Sequence, residues 1–181
     1  MSLNREAARF FYSCLTGAGG EAAQDYINRR GISPAMVKNF GLGFAPDEWF
    51  ALADAMRKKG YTEPELIAAG LVRASKKGKG VYDTFRNRLM FPVIDVRGNV
   101  IGFSGRILGD GEPKYMNSPE TLVFNKSRNL FGLNLAKKSK NGYIILVEGN
   151  VDVVSLHQAG FDSAVASLGT SLTPEQARLI S

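Results

Sequence analysis

The first apolar positions of the chain, Leu3, Ala7, Phe10, Phe11 and Cys14, recur with the spacing of one face of a helix. The stretch from Thr16 to Gly20, with Gly17, Gly19 and Gly20, breaks that pattern. A second helix is expected over 21–30, stopped at Gly31, a residue type that commonly ends helices. Ser33 and Pro34 pair an N-cap with a proline suited to the first helical position and predict a third helix to about Asn39. Similar periodicity predicts helices over 48–58 and 63–69. The first seventy residues therefore read as mostly helical.

The pattern changes after Gly70. Lys76 to Gly80 is a basic, glycine-containing turn or hairpin tip, and the runs 89–96 and 100–108 are β-rich, separated by Arg97-Gly98-Asn99. Residues 109–135 read as a loop-rich segment ending in a short helix. The polar turn Ser139–Gly142 divides the chain. Tyr143–Val147 is a continuous apolar run, the pattern of a buried parallel strand. A helix over 151–159, a strand over 163–167 and a last helix after Thr173 complete the reading. The expected fold is α/β: an α+β part over 1–140, then the first strand-helix-strand-helix of a Rossmann-like unit over 141–181. Two strands are too few for a parallel sheet covered on both faces, so this second unit is expected to be cut short.

Composition sharpens that picture. At 181 residues with 44% hydrophobic and 22% charged positions, the chain can build a real core. No apolar run is long enough to span a bilayer and no secretory segment opens the chain, so the expectation is a soluble, cytoplasmic protein without a membrane partner. Cys14 and His157 are each the sole member of their type, which excludes a disulfide framework, a zinc ribbon and multi-histidine catalysis. Charge is unevenly placed: residues 1–71 are net neutral, 72–140 carry +9 and 141–181 carry −3. A basic block followed by an acidic tail suits a polyanion held beside carboxylates. A solvated basic surface is the alternative reading, and it fits Lys137, Lys138 and Lys140.

The candidate chemistry lies in Val147-Glu148-Gly149-Asn150-Val151-Asp152, where a strand ends and a helix begins. Functional groups of open α/β sheets gather at that edge. Glu148 and Asp152 there suit a hard divalent cation or a general base in phosphoryl transfer. Alternatively, Asp152 simply complements the helix N-terminus and Glu148 is a polar strand end. Arg86 and Arg88, two apart in an expected strand, should face one side, and Gly102 and Gly105 would let a nucleic acid come close. Trp49, Phe10 and Phe11 read as core, and His157 as a filler.

Six motifs, in order, extend this reading. They are Arg29 to Ser33 with Phe40 to Pro46, Tyr82 to Pro92, Gly98 to Arg106, Lys114 to Thr121 with Phe124 to Lys126, Leu130 to Leu133, and Glu148 to Asp152 with Ala166 to Thr170 downstream. In these the sequence resembles the bacterial-type DNA primases, through the N-terminal part of their RNA-polymerase core and the start of their Toprim domain. The family commonly places an aromatic and a methionine where Asn150 and Val151 stand here.

The resemblance implies synthesis of short RNA primers on single-stranded DNA by metal-dependent nucleotidyl transfer. It implies Mg²⁺ or Mn²⁺ as cofactor, with Glu148 and Asp152 as catalytic and metal-holding residues of an incomplete site. It assigns Arg86, Arg88, Arg106, Lys114, Tyr115, Asn117 and Lys126 to template or nucleotide. Expected partners are the template, the RNA primer, ribonucleoside triphosphates and, through a domain outside this sequence, the replicative helicase. The family's further Asp-x-Asp pair, its zinc-ribbon domain and its helicase-binding domain are expected to lie outside the chain, which reads as a core fragment that is inactive alone. A nucleic-acid-binding module without catalysis and another Toprim enzyme, a nuclease or topoisomerase, are the competing readings.

Overall fold

The computed structural model describes residues 2–181. Helix α1 (Ser2–Thr16) buries Leu3, Ala7, Phe11 and Leu15, while Phe10 and Cys14 sit half-covered at the margins of that face. α2 (Glu21–Arg29) and α3 (Pro34–Phe40) follow. The Ser33 hydroxyl accepts from Met36 N at 3.3 Å to start α3, and Gly41, at φ 65°, ends it in the left-handed conformation that glycine adopts without strain. Strand β1 (Gly43–Ala45) was not expected from the sequence. It lies directly under α1: a Cβ on Gly43 would stand 2.6 Å from Phe11 Cβ, so only glycine allows this approach. α4 (Ala51–Lys58) and α5 (Glu63–Ala68) come next. A reciprocal Thr62–Glu65 capping box opens α5.

The basic turn at 76–80 joins β2 (Val72–Ala74) to β3 (Val81–Asp83) as an antiparallel pair. β4 (Arg88–Ile94) and β5 (Val100–Ile107) form the expected hairpin, whose tip is tied by the Asp95 carboxylate accepting from Arg97 N and Asn99 N. β6 (Tyr115–Asn117) completes a four-stranded antiparallel sheet in the order β1-β4-β5-β6. β4 and most of β5 are buried on both faces, so their sequences run apolar without alternation.

After α6 (Leu133–Ala136), strands β7 (Ile145–Val147) and β8 (Ala164–Ala166) pair in parallel around α7 (Asn150–Gln158), and α8 (Pro174–Ile180) closes the chain. The parallel pairing follows the sequence reading, but the burial of the first strand does not. Tyr143 and Leu146 are exposed because one face of this two-stranded sheet carries no cover. Residues on both sides of the 139–142 turn share one core, in which Phe91 and Phe131 pack with Val153 and Ala164. Phe131 and Ala166 exchange both backbone bonds, at 2.9 and 3.1 Å, and Gln176 caps Lys126 O and Asn129 O at 2.9 Å each. No described helix is long and apolar enough to cross a membrane.

Candidate nucleic-acid and carboxylate site

Glu148 follows β7 and faces an open cleft of about 620 Å³ with Val147, Ser167, Gly169, Thr170 and Ser171. Gly149 turns the chain into α7. A Cβ at that position would stand 2.9 Å from Asp152 Oδ2 and 3.7 Å from the Tyr115 hydroxyl, so the glycine makes room for both. Asp152 lies in the first turn of α7, an exposed carboxylate near the positive end of the helix. Among the described residues, no group of three His, Cys, Asp or Glu side chains is placed to hold a metal ion.

A smaller recess joins this edge to the four-stranded sheet. Glu148, Gly149, Asn150 and Ser167 to Gly169 line it from one side, and Ser104, Tyr115 and Asn117 from the other. Asn117 donates its amide to Leu168 O at 2.9 Å, so this side chain holds the 167–170 turn against the sheet. Tyr115 is half-buried. Burial pushes its phenol pKa up, Tyr26 and Asp152 act in the same direction, and Arg106 and Arg30 oppose them.

Arg106 stands opposite Tyr115 in the β5–β6 register and stacks on Tyr26, its guanidinium carbon 4.6 Å from the ring centre. Arg30 approaches the same ring at 5.5 Å. Tyr26, Arg29, Arg30, Arg106, Leu108, Gly109 and the single acid Asp110 line a basic cleft of about 380 Å³. The acidic edge and the basic cleft are therefore joined through the Tyr115–Arg106 pair. Arg29, Arg30 and Tyr26 were not singled out as site residues by sequence reasoning; the signal available was an arginine doublet at a helix end.

Several expectations are corrected here. Arg86 and Arg88 do not face one side. Only Arg88 lies in β4, and Asn87 between them takes φ 51°, which turns the two side chains to different surroundings. Arg88 is 3% exposed and donates to Gly105 O at 3.1 Å and Pro113 O at 2.9 Å. Burial, with Arg86 adding to it, pushes its pKa down. Arg86 instead donates to Asp83 O and lies over the Trp49 ring, 4.1 Å from its centre, with Tyr82 at 5.5 Å. Trp49 is no core residue: it is 57% exposed and forms an aromatic–cation ledge with Tyr82 and Arg86. Gly102 and Gly105 do not open the strand to a ligand. A Cβ on Gly102 would strike the Phe124 ring at 2.9 Å, and one on Gly105 would crowd Arg88, Met90 and Phe85 at 3.0–3.1 Å, so both serve internal packing.

Lys114 and Lys126 are exposed and outside the lining of the basic cleft. His157 is half-buried, edge-on to Phe40, with Nε2 2.9 Å from Ala164 O, as befits a packing residue.

Fold and site together define an α/β protein in which an acidic strand edge sits beside a basic, aromatic-lined surface. Residues 10–137 match the family described as DNA primase catalytic core, N-terminal domain, and residues 142–181 match the Toprim domain. The chain therefore belongs to the DNA primase catalytic-core family. It is 53% identical to a DNA primase of Clostridium acetobutylicum over 99% of its own length and 30% of that protein. It is 45% identical to a DNA primase of Deinococcus radiodurans over 98% of its length and 31% of that protein.

The chain thus spans less than a third of these two relatives. Among solved structures it superposes on a DnaG primase catalytic domain bound to single-stranded DNA (TM-score 0.89, 39% identity, 99% of this chain and 58% of that one). It also superposes on the RNA polymerase domain of Mycobacterium tuberculosis primase DnaG bound to a DNA duplex with a single-stranded overhang (TM-score 0.92, 39% identity, 98% and 57%).

Proposed function

We propose that this chain carries the N-terminal subdomain (1–140) and the opening of the Toprim domain (141–181) of an enzyme that makes RNA primers on single-stranded DNA. The observation that carries the reading is the junction of Glu148 and Gly149 with Tyr115, and of Tyr115 with Arg106, which places carboxylates next to an arginine-lined cleft. Arg29, Arg30 and Arg106 hold phosphate oxygens, the task for which clustered guanidinium forks are suited. The Trp49–Tyr82–Arg86 ledge and the lysines of the 76–80 turn take the template strand, a base on the open face of Trp49 and phosphates on the cations. Lys114 and Lys126 add to the same positive field.

In the reaction, the 3′-oxygen of one nucleotide bonds to the α-phosphorus of the next. The bond from α-phosphorus to the bridging oxygen breaks and pyrophosphate leaves. Glu148 accepts the hydroxyl proton, or together with Asp152 would hold a divalent ion. The all-oxygen donor set at this edge fits Mg²⁺ or Mn²⁺, which when bound would neutralise charge on the reacting phosphates.

Ribonucleotide incorporation by a longer form of the protein, spanning the whole Toprim domain, tests the reading. Glu148→Gln should abolish incorporation nearly completely while template affinity is held. A variant that keeps most of the rate makes Glu148 structural. For the isolated 181 residues, binding without turnover is the second reading, favoured because no three acids come together among the described residues.

A further inference from the structure

A buried guanidinium with no carboxylate beside it is an expensive arrangement, since desolvating a charge costs several kcal/mol unless a partner compensates. Arg88 is such a group. It is 3% exposed, and none of the ion pairs among the described residues involves it. Its two bonds go to backbone carbonyls at different places. Gly105 O lies on the neighbouring strand β5, and Pro113 O lies at the far end of the loop that leaves it. Among the described residues, the other backbone hydrogen bonds of that loop, residues 108–114, lie near its base, where Ile107 N donates to Lys114 O and Leu108 N to Asn87 O, and Leu108 packs against the main core. Its residues Leu108, Gly109 and Asp110 form one wall of the cleft that also contains Arg29, Arg30 and Arg106. A methionine would fill the Arg88 site without the desolvation cost, so the charge is retained for what its two bonds hold.

We propose that Arg88 is a positioning residue: its guanidinium fixes the 108–114 loop in the shape that walls the arginine cleft, and it touches no phosphate itself. This rests on the reading of that cleft as a phosphate site. Asn87, in its left-handed conformation between the two arginines, sends Arg86 to the exposed ledge and Arg88 inward, so adjacent cations of one motif serve binding and support separately.

The test compares Arg88→Met, Arg88→Lys and Arg86→Ala in this chain. It uses binding of a labelled oligothymidylate across a salt series, hydrogen exchange of the 108–114 amides, and thermal melting. Arg88→Met should weaken binding about ten-fold at every salt concentration without changing the slope of log K against log salt. It should also speed exchange in 108–114 beyond any change elsewhere. Arg86→Ala should lower the slope by about 0.7, the signature of one lost single-strand phosphate contact. Arg88→Lys, whose ammonium keeps the charge but not the fork, should restore at most part of the protection.

A slope change in Arg88→Met equal to that of Arg86→Ala would overturn the proposal, since Arg88 would then contact phosphate. Unchanged loop exchange would overturn it as well. If Arg88→Met does not fold, Arg88→Lys is read by the same criteria. Should the wild type bind oligothymidylate without salt dependence while loop exchange still responds to Arg88→Met, the phosphate reading of the cleft falls and the positioning role stands.

Discussion

Asp83 ends β3 and is 3% exposed, yet its carboxylate accepts from Leu52 N at 2.8 Å and Ala53 N at 3.0 Å, two N–H groups in the first turn of α4. It caps a helix from another element, because Phe50 at the N-cap position makes no such bond. The same residue anchors the ledge, with Asp83 N donating to Trp49 O and Arg86 donating to Asp83 O. Burial pushes its pKa up from 3.8 to about 6, against the two helix bonds that pull it down.

A native pKa above the unfolded value means that the native state binds more protons between those two values, so this contribution to stability falls as pH rises through them. Two units amount to about 3 kcal/mol. Asp83→Ala leaves two buried N–H groups without partners, a loss of about 2–6 kcal/mol, offset near neutrality by relief of the buried charge. The variant should therefore lie between about 1 kcal/mol more and about 3 kcal/mol less stable than wild type at neutral pH, and about 2 kcal/mol worse again at about pH 4.5, which is still above the unfolded value.

Urea unfolding of both proteins at about pH 7.5 and about pH 4.5 measures this difference, and subtracting the two proteins removes the titration of every other carboxylate. A stability gap that is constant with pH, or that grows as pH rises, refutes the reasoning. The growing gap would mean that the helix bonds outweigh burial and that the native pKa lies below the unfolded one.

Three further outcomes are expected. Trp49→Ala should cost oligothymidylate binding about 1–3 kcal/mol with little change in salt slope, the loss expected of a stacking face; unchanged affinity in a titration would remove Trp49 from the template path. Gly149→Ala places a Cβ 2.9 Å from Asp152 Oδ2. In the longer protein it should slow ribonucleotide incorporation at least about ten-fold, with template affinity kept, because it displaces groups at the carboxylate edge and not the basic cleft. Calorimetric titration of this chain with Mn²⁺ should give at most millimolar affinity, since one or two carboxylates without substrate phosphates hold such ions weakly. A micromolar site lost in Glu148→Ala would show that this pair suffices.

Local order was legible in the residues themselves. Ser33-Pro34 and Gly41 bound α3, and the glycine break after Thr16 ends α1, because caps and breakers act over a single turn of backbone. The Glu148–Asp152 string announced a strand edge for the same reason, and the net +9 of residues 72–140 could be read directly because charge needs no fold to be counted. Direction and burial were not legible. Whether an arginine reaches solvent or a carbonyl depends on what the rest of the chain packs against it. Periodicity placed Arg86 and Arg88 on one side, and a single left-handed residue, Asn87, separated them. Trp49 read as core by default, but its ring found Arg86 and Tyr82 at the surface because β3 docks on the start of α4. The meeting of Tyr115 with Gly149, and of Arg30 with Arg106, joins positions far apart in sequence. Only closure of the sheets and the shared core around Phe131 brings them within reach, since such contacts are set by packing of whole elements and leave no periodic trace along the chain.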